Sequence, residues 1–116
     1  MKNLTLNAYQ AEMSVTAIYR WPVIYPAMGL SNEAGEVLGK IKKLIRDSEV
    51  AFGSGDNSIT DKQRAEIAAE LGDVLWYAAA LAKDLNISLN EVATMNLEKL
   101  ASRKIRGTLG GSGDNR

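Results

Sequence analysis

Residues 67–85 read IAAELGDVLWYAAALAKDL, and the spacing of apolar positions in this run decides the fold class. Ile67, Leu71, Val74, Leu75, Ala78, Leu81 and Leu85 recur at intervals of three and four, the period of one helix face. At about 100° per residue, Glu66, Glu70, Asp73 and Tyr77 line one edge of that face. The pattern predicts a helix from about Asp61 to Leu85. Upstream, Leu30, Ala34, Val37, Leu38, Ile41, Leu44 and Ile45 make a second apolar face on a helix from about Ala27 to Asp47, with Glu33 and Glu36 along its edge, followed by Lys40 and Lys43. Both acidic pairs have the form Glu-x-x-acid, at the same offset from the apolar stripe. Packed antiparallel, the two helices would bring four carboxylates into one cleft.

Two further helices are predicted, from about Leu6 to Arg20 and from about Leu89 to Ile105. Both prolines, Pro22 and Pro26, fall in one short stretch, so helices on either side can run without a proline break. Thr60 with Gln63 and Ser88 with Glu91 have the spacing of capping boxes, which mark helix starts. No segment alternates apolar and polar residues for long enough to make a strand. The expectation is all-α: four helices in a single domain over residues 1–116, with an inserted loop at 48–59 and a glycine-rich tail at 107–116. The pentapeptide Gly-Ser-Gly-Asp-Asn occurs in both of these turn-rich segments, at 53–57 and 111–115. No larger repeat accompanies it.

Composition narrows the chemistry. Fourteen basic residues balance fourteen acidic ones, so no net field draws the chain to nucleic acid or an anionic membrane. With neither cysteine nor histidine there is no disulfide framework, no thiolate site, and none of the commonest zinc ligand or general base. A di-iron carboxylate bundle, which needs Glu-x-x-His motifs, is excluded. No apolar run approaches the length of a membrane span, and a cytoplasmic location is the default expectation.

Four carboxylates at close range repel one another unless a cation neutralises them. Oxygen-only ligands suit Mg²⁺, with Mn²⁺ as a possible substitute, and such ions commonly bind carboxylates together with substrate phosphates. The cluster therefore points to a phosphate-bearing substrate. The same acids also suit ordinary solvated helix edges, with Glu36 and Lys40 as a surface i,i+4 pair. On that reading the chain is a non-catalytic helical oligomerisation or binding module.

In these motifs the sequence resembles the MazG-like, all-α nucleoside triphosphate pyrophosphohydrolases. The resemblance rests on Glu33 and Glu36 in GLSNEAGEV (29–37) and on Glu70 and Asp73 in ELGDVLWY (70–77). It extends to Tyr9-Gln10, Lys42-Lys43, Arg46-Asp47, Asn96 with Lys99 and Arg103, and the ending from Gly107 to Arg116. Two features depart from the family pattern. Asn32 stands where many members double the glutamate, and the interval between the motifs is long, consistent with an insertion.

The resemblance implies a four-helix MazG-like bundle assembled into a homodimer or homotetramer. It also implies Mg²⁺-dependent hydrolysis between the α and β phosphates of a nucleoside triphosphate, with deoxynucleotides favoured and a house-cleaning role in the nucleotide pool. Glu33, Glu36, Glu70 and Asp73 are then the metal ligands, one of them doubling as base. Lys43, Lys99 and Arg103 are placed to meet phosphate as cations. Asn96, an amide within the apolar pattern Val92, Met95, Leu100, is expected to touch phosphate or sugar. Tyr77, one turn after Asp73, could stack on a nucleobase, with Trp76 and Trp21 as alternatives, although helix aromatics more often serve the core. The glycine-rich tail is compatible with a disordered end or with an ordered segment folded over a site.

Overall fold

The computed structural model describes residues 3–47 and 59–116. All but Ile59 of the expected 48–59 loop, with the first copy of the pentapeptide, lies outside the described residues. Among those described, the chain is all-α, without strands: α1 (Leu6–Met13), a 3₁₀ turn (Ser14–Thr16), α2 (Ile24–Arg46), α3 (Asp61–Asp84) and α4 (Leu89–Ile105).

Three of the four helices fall close to their expected bounds. Thr60 and Gln63 form a complete capping box at the start of α3, and the Ser88 hydroxyl accepts the Glu91 N–H at the start of α4. Two residues beyond the ends of α3 and α4 stand residues of positive φ, Asn86 (58°) and Gly107 (67°). There the N–H of the next residue reaches back to the last turn, from Ile87 to Ala82 O and from Thr108 to Arg103 O, as in a Schellman motif. The first helix is shorter than the expected span to Arg20. The Ser14 and Thr16 hydroxyls donate to the carbonyls of Gln10 and Met13 at 2.8 Å, a local alternative to continued helix, and the Trp76 indole N–H donates to Thr16 Oγ1 at 2.9 Å. At its other boundary, α2 starts before Pro26 rather than after it. The proline sits in the first turn, where its missing N–H has no intrahelical role, and its side chain is fully buried.

The longest contact is between α2 and α3. Gly29 meets Tyr77 near one end and Lys40 meets Glu70 further along, so the two helices run antiparallel, as the matched acidic edges require. The most deeply buried apolar cluster lies elsewhere. Met13 of α1, Ala79 and Ala80 of α3 and Leu89 of α4 pack together, with Leu6, Tyr9, Ala17, Tyr19 and Trp76 around them. One amide locks this corner: Gln10 Nε2 donates to the carbonyls of Ala79 (3.3 Å) and Ile87 (3.1 Å), and its Oε1 accepts the Leu89 N–H (2.9 Å).

The apolar stripes are only half used within one chain. Val37, Ile41 and Leu44 of α2 and Ile67 and Val74 of α3 are partly buried, whereas Leu38 (66%), Leu71 (57%) and Ile45 (53%) remain exposed. On α4, Val92, Met95 and Leu100 are exposed too.

Candidate active site

The antiparallel pairing of α2 and α3 brings Glu33, Glu70 and Asp73 together. Each offers one carboxylate oxygen, and the three oxygens lie within 4.8 Å of one another. Glu33 and Glu70 are half-buried and Asp73 is exposed. Helical geometry explains the convergence: Glu70 and Asp73 are three residues apart on one face of α3, and Glu33 faces them from α2. Glu36 lies outside this group and is exposed on the same helix. The structure thus gathers three of the four expected carboxylates.

A cation already attends the group. Lys40 Nζ is 3.4 Å from Glu70 Oε1, so Lys40 pairs across the helices with Glu70 rather than along α2 with Glu36. An ion with ligands at the Mg²⁺–oxygen distance of about 2.0–2.1 Å holds neighbouring oxygens about 2.9 Å apart and opposite ones about 4.2 Å apart. Three oxygens mutually within 4.8 Å, with no nitrogen or sulfur donor among them, fit such a hard divalent cation.

Beside the carboxylates the chain builds an aromatic wall. Glu33 and Asp73 line a cavity of about 370 Å³ with Thr16, Trp76 and Tyr77. The last three residues also line an adjoining cavity of about 460 Å³, closed by Ile18, Tyr19, Arg20, Trp21 and Tyr25. Its rings support each other. Tyr19 stacks on Tyr25 (centroids 5.1 Å apart, planes 16° apart), Trp76 meets Tyr77 edge-on at 5.0 Å, and Tyr25 lies 6.2 Å from Tyr77. The Tyr77 phenol is pushed above its ordinary range first by a hydrogen bond with the Tyr25 phenol, then by burial and by the negative charge of Glu33 and Asp73. The Tyr9 phenol is raised by burial and by Asp73. Tyr77 and Tyr9 therefore both stand within the field of the acidic group.

The remaining expected substrate residues lie elsewhere in the chain. Lys43 is exposed and lines a third cavity, of about 450 Å³, between the end of α2 and the start of α3. Asn96 is exposed on α4. Lys99 and Arg103 are engaged by the tail: Arg103 Nη2 donates to the Asp114 carboxylate at 3.1 Å and to its carbonyl at 2.9 Å, and Lys99 Nζ lies 3.5 Å from the same carboxylate. Arg103 is only 4% exposed, so the tail is an ordered segment folded on α4. None of these four residues lines the cavity shared by Glu33 and Asp73.

Residues that motif reasoning passed over are Thr16, Tyr19 and Tyr25, which complete the aromatic wall, and Lys40. A signal was present. Three of the six tyrosines and tryptophans in the chain fall within the seven residues 19–25.

Comparisons with known proteins identify the family. The MazG nucleotide pyrophosphohydrolase domain matches residues 27–106, which include Glu33, Glu36, Glu70 and Asp73 and most of α2, with α3 and α4. The chain is 44% identical over 119 residues to the "Gene 37 protein" of Mycobacterium phage L5, covering 96% of this chain and 98% of the relative, whose name states no activity. No solved structure matches it. With its acidic pairs on facing helices and a domain match over more than half its length, the chain belongs to the MazG nucleotide pyrophosphohydrolase family.

Proposed function

We propose that the protein hydrolyses nucleoside triphosphates between the α and β phosphates, releasing a monophosphate and pyrophosphate, as a Mg²⁺-dependent cytoplasmic enzyme of nucleotide house-cleaning. The observation that carries this reading is the shared boundary of two cavities. Thr16, Trp76 and Tyr77 belong both to the cavity lined by Glu33 and Asp73 and to the aromatic cavity beside it, a layout suited to a ligand with phosphates at one end and a flat base at the other.

Glu33, Glu70 and Asp73 would hold the cation, and Glu36, outside their group in the free chain, would reach it only through a change of side-chain rotamer. Bound Mg²⁺ supplies neutralisation of the triphosphate charge and a more acidic water. A carboxylate left free of the ion would accept the proton of the attacking water. Lys40, paired with Glu70 in the free chain, would be free to meet phosphate once Glu70 is neutralised otherwise. Lys43, Lys99 and Arg103 add positive charge along the polyphosphate, Asn96 meets phosphate or sugar, and Tyr77 with Trp76 packs against the base. Lys99 and Arg103 are held by the tail within one chain, so α4 would meet the polyphosphate across a subunit contact with the tail displaced. Exposed Leu38, Ile45 and Leu71, which a monomer would leave in water, support a homodimer or homotetramer.

Product analysis tests the reaction. Incubation of a panel of NTPs and dNTPs with Mg²⁺, followed by ³¹P NMR, is expected to show monophosphate and pyrophosphate, with deoxynucleotides turned over faster. Release of inorganic phosphate would mean another bond is cut. No turnover by a well-folded oligomer would favour the helical binding module.

A further inference from the structure

Asp84, the last residue of α3, lies outside both acidic motifs. Its Oδ2 accepts two long-range hydrogen bonds, from the Tyr19 phenol at 2.9 Å and from the Val23 backbone N–H at 2.8 Å. Both partners belong to the segment that closes the aromatic cavity.

Val23 has φ 68° and ψ −59°, and the Ile24 N–H donates to Pro22 O at 2.8 Å. This is a three-residue γ-turn of the rare, strained form, with a β-branched residue at its centre. Strain of this kind persists only where surrounding contacts over-determine it. Here the bond from Val23 to Asp84 is made by the strained residue itself. The turn divides Trp21 from Tyr25, so its shape sets where both rings stand. Tyr19, the second partner of Asp84, stacks on Tyr25 and meets Trp76 edge-on at 6.3 Å. One carboxylate therefore fixes the turn and the ring on which the rest of the wall leans. α3 carries Asp73 as well as Asp84, eleven residues later and close to the same face after three turns. A single rigid helix thus joins the carboxylate group to the pin of the aromatic wall.

We propose that Asp84 is a positioning residue of a nucleobase pocket: it holds Tyr19 and the Val23 turn so that Tyr19, Tyr25, Trp76 and Tyr77 present a preformed aromatic surface to a planar heteroaromatic base. The inference rests on the reading of the aromatic cavity as the base site, and it concerns binding rather than the bond-breaking step.

The experiment compares Asp84→Ala, Asp84→Asn and Tyr19→Phe with the native chain in three readouts. The first is quenching of tryptophan fluorescence by nucleoside monophosphates without metal, which reports pocket occupancy whether or not the chain hydrolyses triphosphates. Loss of both bonds to the carboxylate in Asp84→Ala is expected to weaken binding by about tenfold or more. In Asp84→Asn one amide oxygen can still accept both bonds, so affinity should stay within about threefold of native. Tyr19→Phe, which loses one bond, should fall between and serves if Asp84→Ala does not fold. The second readout is steady-state turnover, in which Asp84→Ala should raise KM by a similar factor while kcat stays within about threefold. The third is alkaline spectrophotometric titration. The Tyr19 phenol, pushed up to about 12 by burial and by its bond to Asp84, should return toward the ordinary range in Asp84→Ala. Native-like binding by Asp84→Ala, an effect on kcat alone, or no quenching of the native chain by any nucleotide would overturn the proposal. Quenching without turnover would overturn the proposed hydrolysis and leave the pocket standing.

Discussion

Gly29 of α2 lies directly against the ring of Tyr77 of α3, in space that a Cβ would have to share with the ring. This close approach lets the two helices meet at the end where the carboxylate and aromatic cavities join. Gly29→Ala is expected to displace Tyr77 and to destabilise the fold by about 1–3 kcal/mol through overpacking. Urea unfolding measures the loss, and a changed near-ultraviolet circular dichroism signal should accompany it.

The Gln10 amide joins α1 to the α3–α4 corner through three bonds. Gln10→Ala strips all three and leaves partly buried backbone groups without that partner. The expected cost is about 2–3 kcal/mol, read as a lower midpoint in chemical denaturation.

The raised Tyr19 phenol makes a signed prediction for alkaline stability. Its ordinary value is 10.0 and its folded value about 12, the shift arising from burial first and then from Asp84. Folding is therefore favoured in full below pH 10 and loses this contribution as pH rises toward 12. The decline between those values should be steeper in the native chain than in Tyr19→Phe, as followed by thermal melts across the range.

At the opposite extreme, the Asp114 carboxyl is held below its ordinary value by its hydrogen bond from Arg103, then by the charge of Lys99. The tail contact is complete above the ordinary aspartate range and is lost as pH falls through the depressed value. Backbone NMR order parameters at Gly111 and Gly113 should fall over that acid range, and in Asp114→Asn they should be low already at neutral pH.

Much of this arrangement was legible because it depends on helical period. The Glu-x-x-acid pairs, their offset from the apolar stripes and the antiparallel pairing follow from about 100° per residue, and they place Glu33, Glu70 and Asp73 together. Glu36 does not join that group, because spacing assigns a residue to an edge without fixing where its side chain ends. The partners of Lys40 and Arg103 were similarly hidden. Lys40 reaches across to Glu70 instead of along its own helix, and Arg103 is buried by a tail whose glycine-rich composition is compatible with disorder as well as order. The deepest core escaped the stripe because Ala79 and Ala80 fall off it; their small side chains admit α1 and α4 at close range. The early end of α1 depended on hydroxyls bonding back to the chain and on a tryptophan 60 residues away in sequence.

Pyrophosphate release with Mg²⁺ from the most rapidly hydrolysed nucleotide, by the native chain and by Asp73→Asn, tests the central claim most directly. Asp73 is exposed, so the substitution should leave the metal-free melting temperature unchanged. Loss of a cation ligand is expected to cut turnover by about a hundredfold or more. Native-like turnover by Asp73→Asn would contradict a site built on Glu33, Glu70 and Asp73.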